Sequence, residues 1–195
     1  MKDKELTQEK ILEAVDSIIV NDGFERIGVN AIAQKAGVSK MLIYRYFGGL
    51  DELIAQYLLR KDYWANTDLQ MIDGADVAGS LKRMFREQIV QLRNDVTLRR
   101  LCRWELTADN ENTQQLRDSR ARNGCELIKA VSGFTHSSHT EVAALATILS
   151  AAISYLVLIE DQSPTYNGIN LQSDEGWEQI IKGLNLIIDL WIKQV

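Results

Sequence analysis

A chain of 195 residues, 46% hydrophobic and 25% charged, has the makeup of a soluble globular protein with room for one large domain or a small one beside a larger one. Its net charge of −5 excludes nucleic-acid binding by overall charge alone and leaves only a local basic face for it, because phosphate contacts depend on nearby Lys and Arg. Two cysteines, Cys102 and Cys125, are too few for a disulfide framework and read as free thiols, and the polar start MKDKELTQEK lacks the apolar core of a signal peptide, so the expected location is cytoplasmic.

A single proline, Pro164, and the absence of low-complexity segments favour an almost all-helical chain. The first helix is expected from about Thr7, as N-cap, to Asp22, with Ile11, Leu12, Val15, Ile18 and Ile19 at helical spacing. Residues 29 to 53, VNAIAQKAGVSKMLIYRYFGGLDEL, then read as two short helices joined by a tight turn, followed by the start of another helix. Ala33 is small enough for close helix crossing, and Gly37 suits the left-handed position that ends a helix. Val38 fills the space between the helices, and Ser39 is placed to N-cap the second. Ile43 and Phe47, four apart, face inward, which leaves Lys40, Met41, Tyr44 and Arg45 outward. This is the layout of a helix-turn-helix, which presents its second helix to the major groove; an ordinary αα-hairpin is the competing reading.

Further along, a helix is expected from about Leu50 to Asp68, a loop over Ile72 to Val77, and helices over Ala78 to Arg93, from Asp95 or Thr97 to Thr107, and from the polar run Asp109 to Thr113 onward to about Ser132. Gly133 to Thr140 reads as a turn, Glu141 to Asp161 as a helix, Ser163 to Ser173 as a loop, and Asp174 to Gln194 as the last helix, capped by Ser173 or Asp174. No residue from Ala143 to Ile159 is charged; 17 residues stand at the lower edge of a bilayer span, but the polar Thr147, Ser150 and Ser154 favour a helix buried partly inside its subunit and partly against another. The last helix carries a stripe of Trp177, Ile180, Ile181, Leu184, Ile187, Ile188, Trp191 and Ile192.

The pattern I-A-x-x-A-G-V-S, then x-x-x-I-Y-x-Y-F, then D-E-L resembles the DNA-binding domain of TetR-type transcriptional regulators, and Gln8 to Gly23 with Phe24 resembles that family's first helix; the likeness covers about residues 6 to 58. It implies an all-α fold: an N-terminal three-helix helix-turn-helix domain over residues 1–50 and a C-terminal helical ligand-binding and dimerisation domain over 51–195. It also implies a homodimer on a palindromic operator of double-stranded DNA, an unknown small-molecule effector, and no cofactor, metal or membrane partner. Lys35, Ser39, Lys40, Met41, Tyr44, Arg45 and Tyr46 are the candidate DNA-binding residues: Lys and Arg for phosphates or guanine edges, the tyrosines for phosphate, Met41 for a thymine methyl. Trp64, Met84, Phe85, Gln88, Trp104, Glu105, Cys125, Ile128 and Tyr155 are the candidates for an apolar or amphipathic ligand. Ala144, Ile148, Ala151, Ala152, Tyr155, Ile180, Leu184, Ile188 and Trp191 are the candidates for the dimer interface.

Departures from the pattern point to weaker phosphate binding and a shallow salt dependence. Met41 and Leu42 replace a usual Gly-Thr, Leu50 replaces a usual lysine, and Gly28 stands where a Ser or Thr cap is common. Residues 1 to 60 hold eight basic and nine acidic side chains, a net −1. The function expected is thus a ligand-responsive DNA-binding regulator acting as a repressor, with a helical ligand-binding dimer whose DNA-binding domain is weakened as the alternative. Enzymatic function is not expected: GxSxG, HExxH and glycine-rich phosphate loops are absent, and His136 and His139 read as part of a polar turn rather than a metal site.

Overall fold

The computed structural model describes residues 2–107 and 111–194, apart from the side chains of Lys2, Trp104 and Asn112. The α-helices are α1 (Lys2–Asp22), α2 (Val29–Ala36), α3 (Lys40–Phe47), α4 (Leu50–Lys61), α5 (Val77–Asn94), α6 (Val96–Glu105), α7 (Glu111–Thr135), α8 (His139–Ile159) and α9 (Asp174–Ile192). A two-stranded antiparallel hairpin, β1 (Thr165–Tyr166) and β2 (Ile169–Asn170), pairs Thr165 with Asn170 and Tyr166 with Ile169 between α8 and α9. The all-α fold expected from the sequence is what forms. The polar run beginning at Asp109 lies in part outside the described residues.

The chain divides into two compact units, Met1–Asn66 with Asp95–Arg120, and Thr67–Asn94 with Ala121–Val195. The first is built around α1. Its stripe of Ile11, Ala14, Val15, Ile18 and Ile19 is buried against Ile32 and Ala33 of α2, Ile43 and Phe47 of α3, Leu53, Ile54, Tyr57 and Leu58 of α4, and Leu101 of α6. Each large aliphatic side chain taken from water there contributes roughly 1.5–3 kcal/mol. The turn between α2 and α3 depends on Gly37, whose φ of 66° and ψ of 33° lie in the left-handed region, and its N–H closes onto the Gln34 carbonyl.

Polar contacts fix the helices around α1. The Tyr57 hydroxyl donates to the Asp16 carboxylate at 2.6 Å, and Lys61 pairs with Asp16 at 2.9 Å and with Asp95 at 3.5 Å. Asp95 also accepts the Leu98 N–H at 2.9 Å and so caps α6. Burial alone would raise the Asp16 carboxyl, but the Tyr57 hydroxyl and the Lys61 ammonium outweigh it and hold it below the ordinary value. From α6, Arg100 donates to the carbonyls of Ile19 and Val20 (2.7 Å for Val20), satisfying acceptors left open at the end of α1, where no basic residue of α1 itself stands in the last turn.

Three boundaries differ from expectation. Helix α1 begins at Lys2 rather than Thr7: the Thr7 hydroxyl donates back to the Asp3 carbonyl at 2.7 Å, so Thr7 is interior, and Asp3 and Glu5 favour the helix start electrostatically. Helix α4 stops at Lys61 instead of near Asp68. There the Asp62 carboxylate accepts the Ala65 N–H, and the Asn66 amide donates to the carbonyls of Leu59 and Asp62, which together compete with further helix. Helix α7 continues to Thr135, and the turn shrinks to residues 136–138 because Ser138 and Glu141 form a capping box that starts α8 at His139.

In the second unit α5 packs against both α8 and α9. Met84, Phe85 and Ile89 of α5, Leu149, Ile153 and Val157 of α8, and Trp177, Ile181, Leu184 and Ile188 of α9 are buried. The α8–α9 connection is tied down rather than loose. The Trp177 indole donates to the Leu171 carbonyl at 2.7 Å, Arg93 stacks over the indole at 5.3 Å, and Arg93 also pairs with Glu160 at 3.2 Å. Gly176 lies so close to the Asn170 carbonyl that a Cβ would stand 1.8 Å from its oxygen.

If the Asp16 contacts hold α1, α4 and α6 together, Asp16→Asn lowers stability by about 1–2 kcal/mol at neutral pH. A carboxyl held below its unfolded value contributes stability that is complete above about pH 4 and is lost as pH falls through the folded value. Urea titrations of both proteins are therefore expected to differ at neutral pH and to converge as pH falls through that folded value.

Candidate functional site

Helix α3 presents a polar and apolar outer face. Ile43 and Phe47 are 0% and 5% exposed, while Met41 is 76% and Tyr44 55% exposed, with Ser39, Lys40 and Arg45 also exposed beside them. Lys35, in the last turn of α2, is exposed as well. Tyr46 differs: it is half-buried and packs against the core cluster, with the Arg45 guanidinium 6.0 Å from its ring centroid. Ser39 holds the N-cap position of α3 with extended backbone angles, but its hydroxyl makes no capping hydrogen bond and stays exposed on this face.

The positions that depart from the resemblance have visible consequences. Leu50 starts α4 half-buried and packed on the core cluster, so the side chain that replaces a lysine is turned to apolar packing. Gly28 sits at the N-cap of α2 in extended conformation and offers no side chain to the open N–H groups. The outer face of α3 therefore stands on a sound scaffold with fewer polar groups around it.

The candidate ligand residues divide between the two units. In the first, Trp64 is half-buried, and Glu105 is buried and committed to Arg120 at 2.7 Å, with Arg117 at 3.6 Å; the Trp104 side chain lies outside the described residues. Arg120 also holds Asp62, at 2.5 Å. Close by on α6, burial pushes the Cys102 thiol up to about 12. In the second unit, Met84, Phe85 and Gln88 are buried along one side of α5, Ile128 is half-buried, and Cys125 and Tyr155 are exposed. Gln88 is 1% exposed; its amide nitrogen reaches Ser154 at 3.4 Å, whereas its carbonyl oxygen has no hydrogen-bond partner among the described residues. A groove between α4 and the start of α7 is lined by Asp51, Glu52, Ala55, Gln56, Leu59, Glu111 and Gln115, none of which was foreseen as a ligand residue.

The dimer candidates also divide. Ala144, Ile148, Ala151, Ala152 and Tyr155 form an exposed stripe on α8, with Ile148 65% exposed. Helix α8 is apolar enough to cross a membrane, with a mean hydropathy of 2.4, and only 22% of that window is buried within the chain. On α9, Leu184 and Ile188 point into the chain's own core, Ile180 and Trp191 are half-buried, and the outward apolar residues are Leu186, Ile187 and Leu190. The sequence reading missed Leu186 and Leu190; a stripe spanning both sides of α9 shows periodicity without showing which side the subunit keeps. His136 and His139 belong to no group of three or more metal-ligating side chains among the described residues.

Comparison with known proteins follows this geometry. A family model described as bacterial regulatory proteins of the TetR family matches residues 11–57. An HTH-type transcriptional regulator of Mycobacterium tuberculosis is 31% identical over 81 residues, which is 42% of this chain and 40% of that protein, so the match spans less than half of either. Among solved structures, a TetR-family regulator from Marinobacter aquaeolei is similar over 95% of this chain and 97% of that one, with TM-score 0.65 and 21% identity. NalD, the secondary repressor of the MexAB-OprM multidrug efflux pump in Pseudomonas aeruginosa, is similar over 94% and 98%, with TM-score 0.64 and 18% identity. SmeT in complex with triclosan is similar over 93% and 90%, with TM-score 0.68 and 14% identity.

A buried carbonyl without a partner costs about 1–3 kcal/mol, so Gln88→Leu, which removes it at similar volume, is expected to raise stability by about 1 kcal/mol. Chemical denaturation of the two proteins without added ligand checks this; a less stable variant contradicts it.

Proposed function

The chain belongs to the TetR family of bacterial transcriptional regulators, and from that premise we propose that it is a ligand-responsive repressor that binds a palindromic operator as a homodimer in the cytoplasm. It is a DNA-binding regulator of transcription and not an enzyme. Residues 1–50 form the DNA-binding domain and 51–195 the ligand-binding and dimerisation domain in this reading.

The observation that carries it is the outer face of α3, where Lys40, Met41, Tyr44 and Arg45 are exposed over a buried Ile43 and Phe47. A helix so presented enters the major groove, with Tyr44, Lys35 and Tyr46 on backbone phosphates and Arg45, Lys40 and Met41 at base edges. Ser39 sits at the helix end nearest the backbone. Two-fold symmetry sets two such helices one duplex turn apart, which requires a dimer. The exposed stripe of Ala144, Ile148, Ala151, Ala152 and Tyr155 supports that dimer, joined in this proposal by the α9 residues Leu186, Ile187, Leu190 and Trp191.

The effector is assigned in this proposal to the second unit, where Met84, Phe85 and Ile128 would supply apolar surface and the Gln88 carbonyl, unpartnered among the described residues, would accept one hydrogen bond. Its chemistry is an apolar or amphipathic molecule with at least one donor. To act, it binds the two spacings of the recognition helices with different affinity. A second reading, a ligand-binding dimer with a weakened DNA-binding domain, is favoured by the inward Leu50, the bare N-cap at Gly28 and the net −1 of residues 1 to 60.

Tyr44→Ala and Arg45→Ala, each on an exposed side chain, are expected to weaken binding to the DNA upstream of the protein's own gene by about tenfold or more per variant without loss of melting temperature. Fluorescence anisotropy at low salt measures it, and unchanged affinity in both variants favours the second reading. Ile148→Glu places a charge on the α8 stripe and is expected to shift the protein from dimer to monomer in sedimentation velocity; an unchanged dimer rules that stripe out as the interface.

A further inference from the structure

The α1 helix starts five residues earlier than its sequence suggests, and the added turn brings Lys4 to the recognition helix. The Lys4 ammonium lies 5.8 Å from the Tyr46 ring centroid, and the Arg45 guanidinium lies 6.0 Å from the same centroid. One ring thus carries two cations. Tyr46 is held by the core cluster, so the ring is a fixed platform rather than a swinging side chain. Two cations of α4 are engaged elsewhere: Arg60 is paired with Glu9 and Lys61 with Asp16. Lys4 and Arg45 are exposed and make no ion pair among the described residues. Asp3 and Glu5 adjoin Lys4 in sequence but stand about 100° away around the helix.

We propose that Lys4 is a DNA-backbone contact: with Arg45 it flanks Tyr46 and sets a phosphate-binding cation at the shoulder of the recognition helix. The proposal rests on the DNA-binding reading above and adds to it a residue from a different helix. The chemistry recognised is the phosphate diester of a duplex, because two cations without an ion pair, both held over one tyrosine ring, attract an anion and carry no donor pattern specific to a base. It also meets a need of this chain. Leu50 is turned into the core where a lysine would meet phosphate, and Lys4 returns one positive charge to the same domain.

The test is the salt dependence of binding to the upstream duplex by the full chain. Each phosphate neutralised contributes a slope of roughly 0.9 in log affinity against log salt, so Lys4→Gln is expected to reduce the slope of a dimer by about 2. Lys4→Arg keeps the charge and is expected to keep the slope. Both variants are expected to melt with the wild type, since Lys4 is exposed. A Lys4→Gln slope equal to wild type overturns the proposal, and so does an equal loss with Lys4→Arg, which would mark a packing role. If the wild-type protein binds no duplex, the DNA-binding reading itself falls and this contact with it; binding with unchanged slopes overturns the contact alone.

Discussion

The carboxylate of Asp16 is where three helices of the first unit meet. It sits in the last third of α1, accepts from Tyr57 of α4, pairs with Lys61 of α4, and through Lys61 is joined to Asp95, the cap of α6. A second polar node lies where Arg120 holds Asp62, the residue after Lys61 at the end of α4, and Glu105, the last residue of α6. From α6, Arg100 donates to open carbonyls near the end of α1. Buried charges of this kind cost desolvation energy and add little net stability over an apolar core of the same shape. What they supply is register: α4 and α6 cannot slide along α1 without leaving a carboxylate unpaired. The short helices α2 and α3, eight residues each, are too short to be stable alone and take their orientation from that frame.

This frame explains how an acidic domain presents a cationic face. Glu9 and Asp16 pair with Arg60 and Lys61, which leaves the net charge unchanged but takes none of the cations beside α3. Lys35, Lys40, Arg45 and Lys4, which belong to or adjoin the helix-turn-helix, make no ion pair among the described residues.

Legibility from sequence followed how local each cause is. The turn at Gly37, the inward pair Ile43 and Phe47, and the outward Met41 and Tyr44 follow from spacing over a few residues, and the structure has them there. The end of α4 was not legible, because it depends on Asp62 and Asn66 bonding to backbone groups while Arg120, far along the chain, holds the Asp62 carboxylate. The hairpin between α8 and α9 did have a local signal, Asn167-Gly168, whose φ values of 50° and 83° suit a tight two-residue turn. On α9 the apolar residues cover more than one side, and only packing against α5 decides that Leu184 and Ile188 go inward while Leu186 and Leu190 go outward. Candidate ligand residues were the least legible: Glu105 is drawn into the Arg120 node, and what singles out Gln88 is an unpaired atom that no pattern of residue types displays.

The central claim is that α3 reads duplex DNA from a two-fold dimer. It is tested most directly by selecting bound duplexes from a random-sequence pool at low salt and sequencing them. The account predicts enrichment of an inverted repeat whose half-sites lie one helical turn apart, about 10 base pairs centre to centre, or a multiple of it. Enrichment of a single unpaired half-site would contradict the dimer, and no enrichment of any sequence would contradict the reading of α3 as a recognition helix.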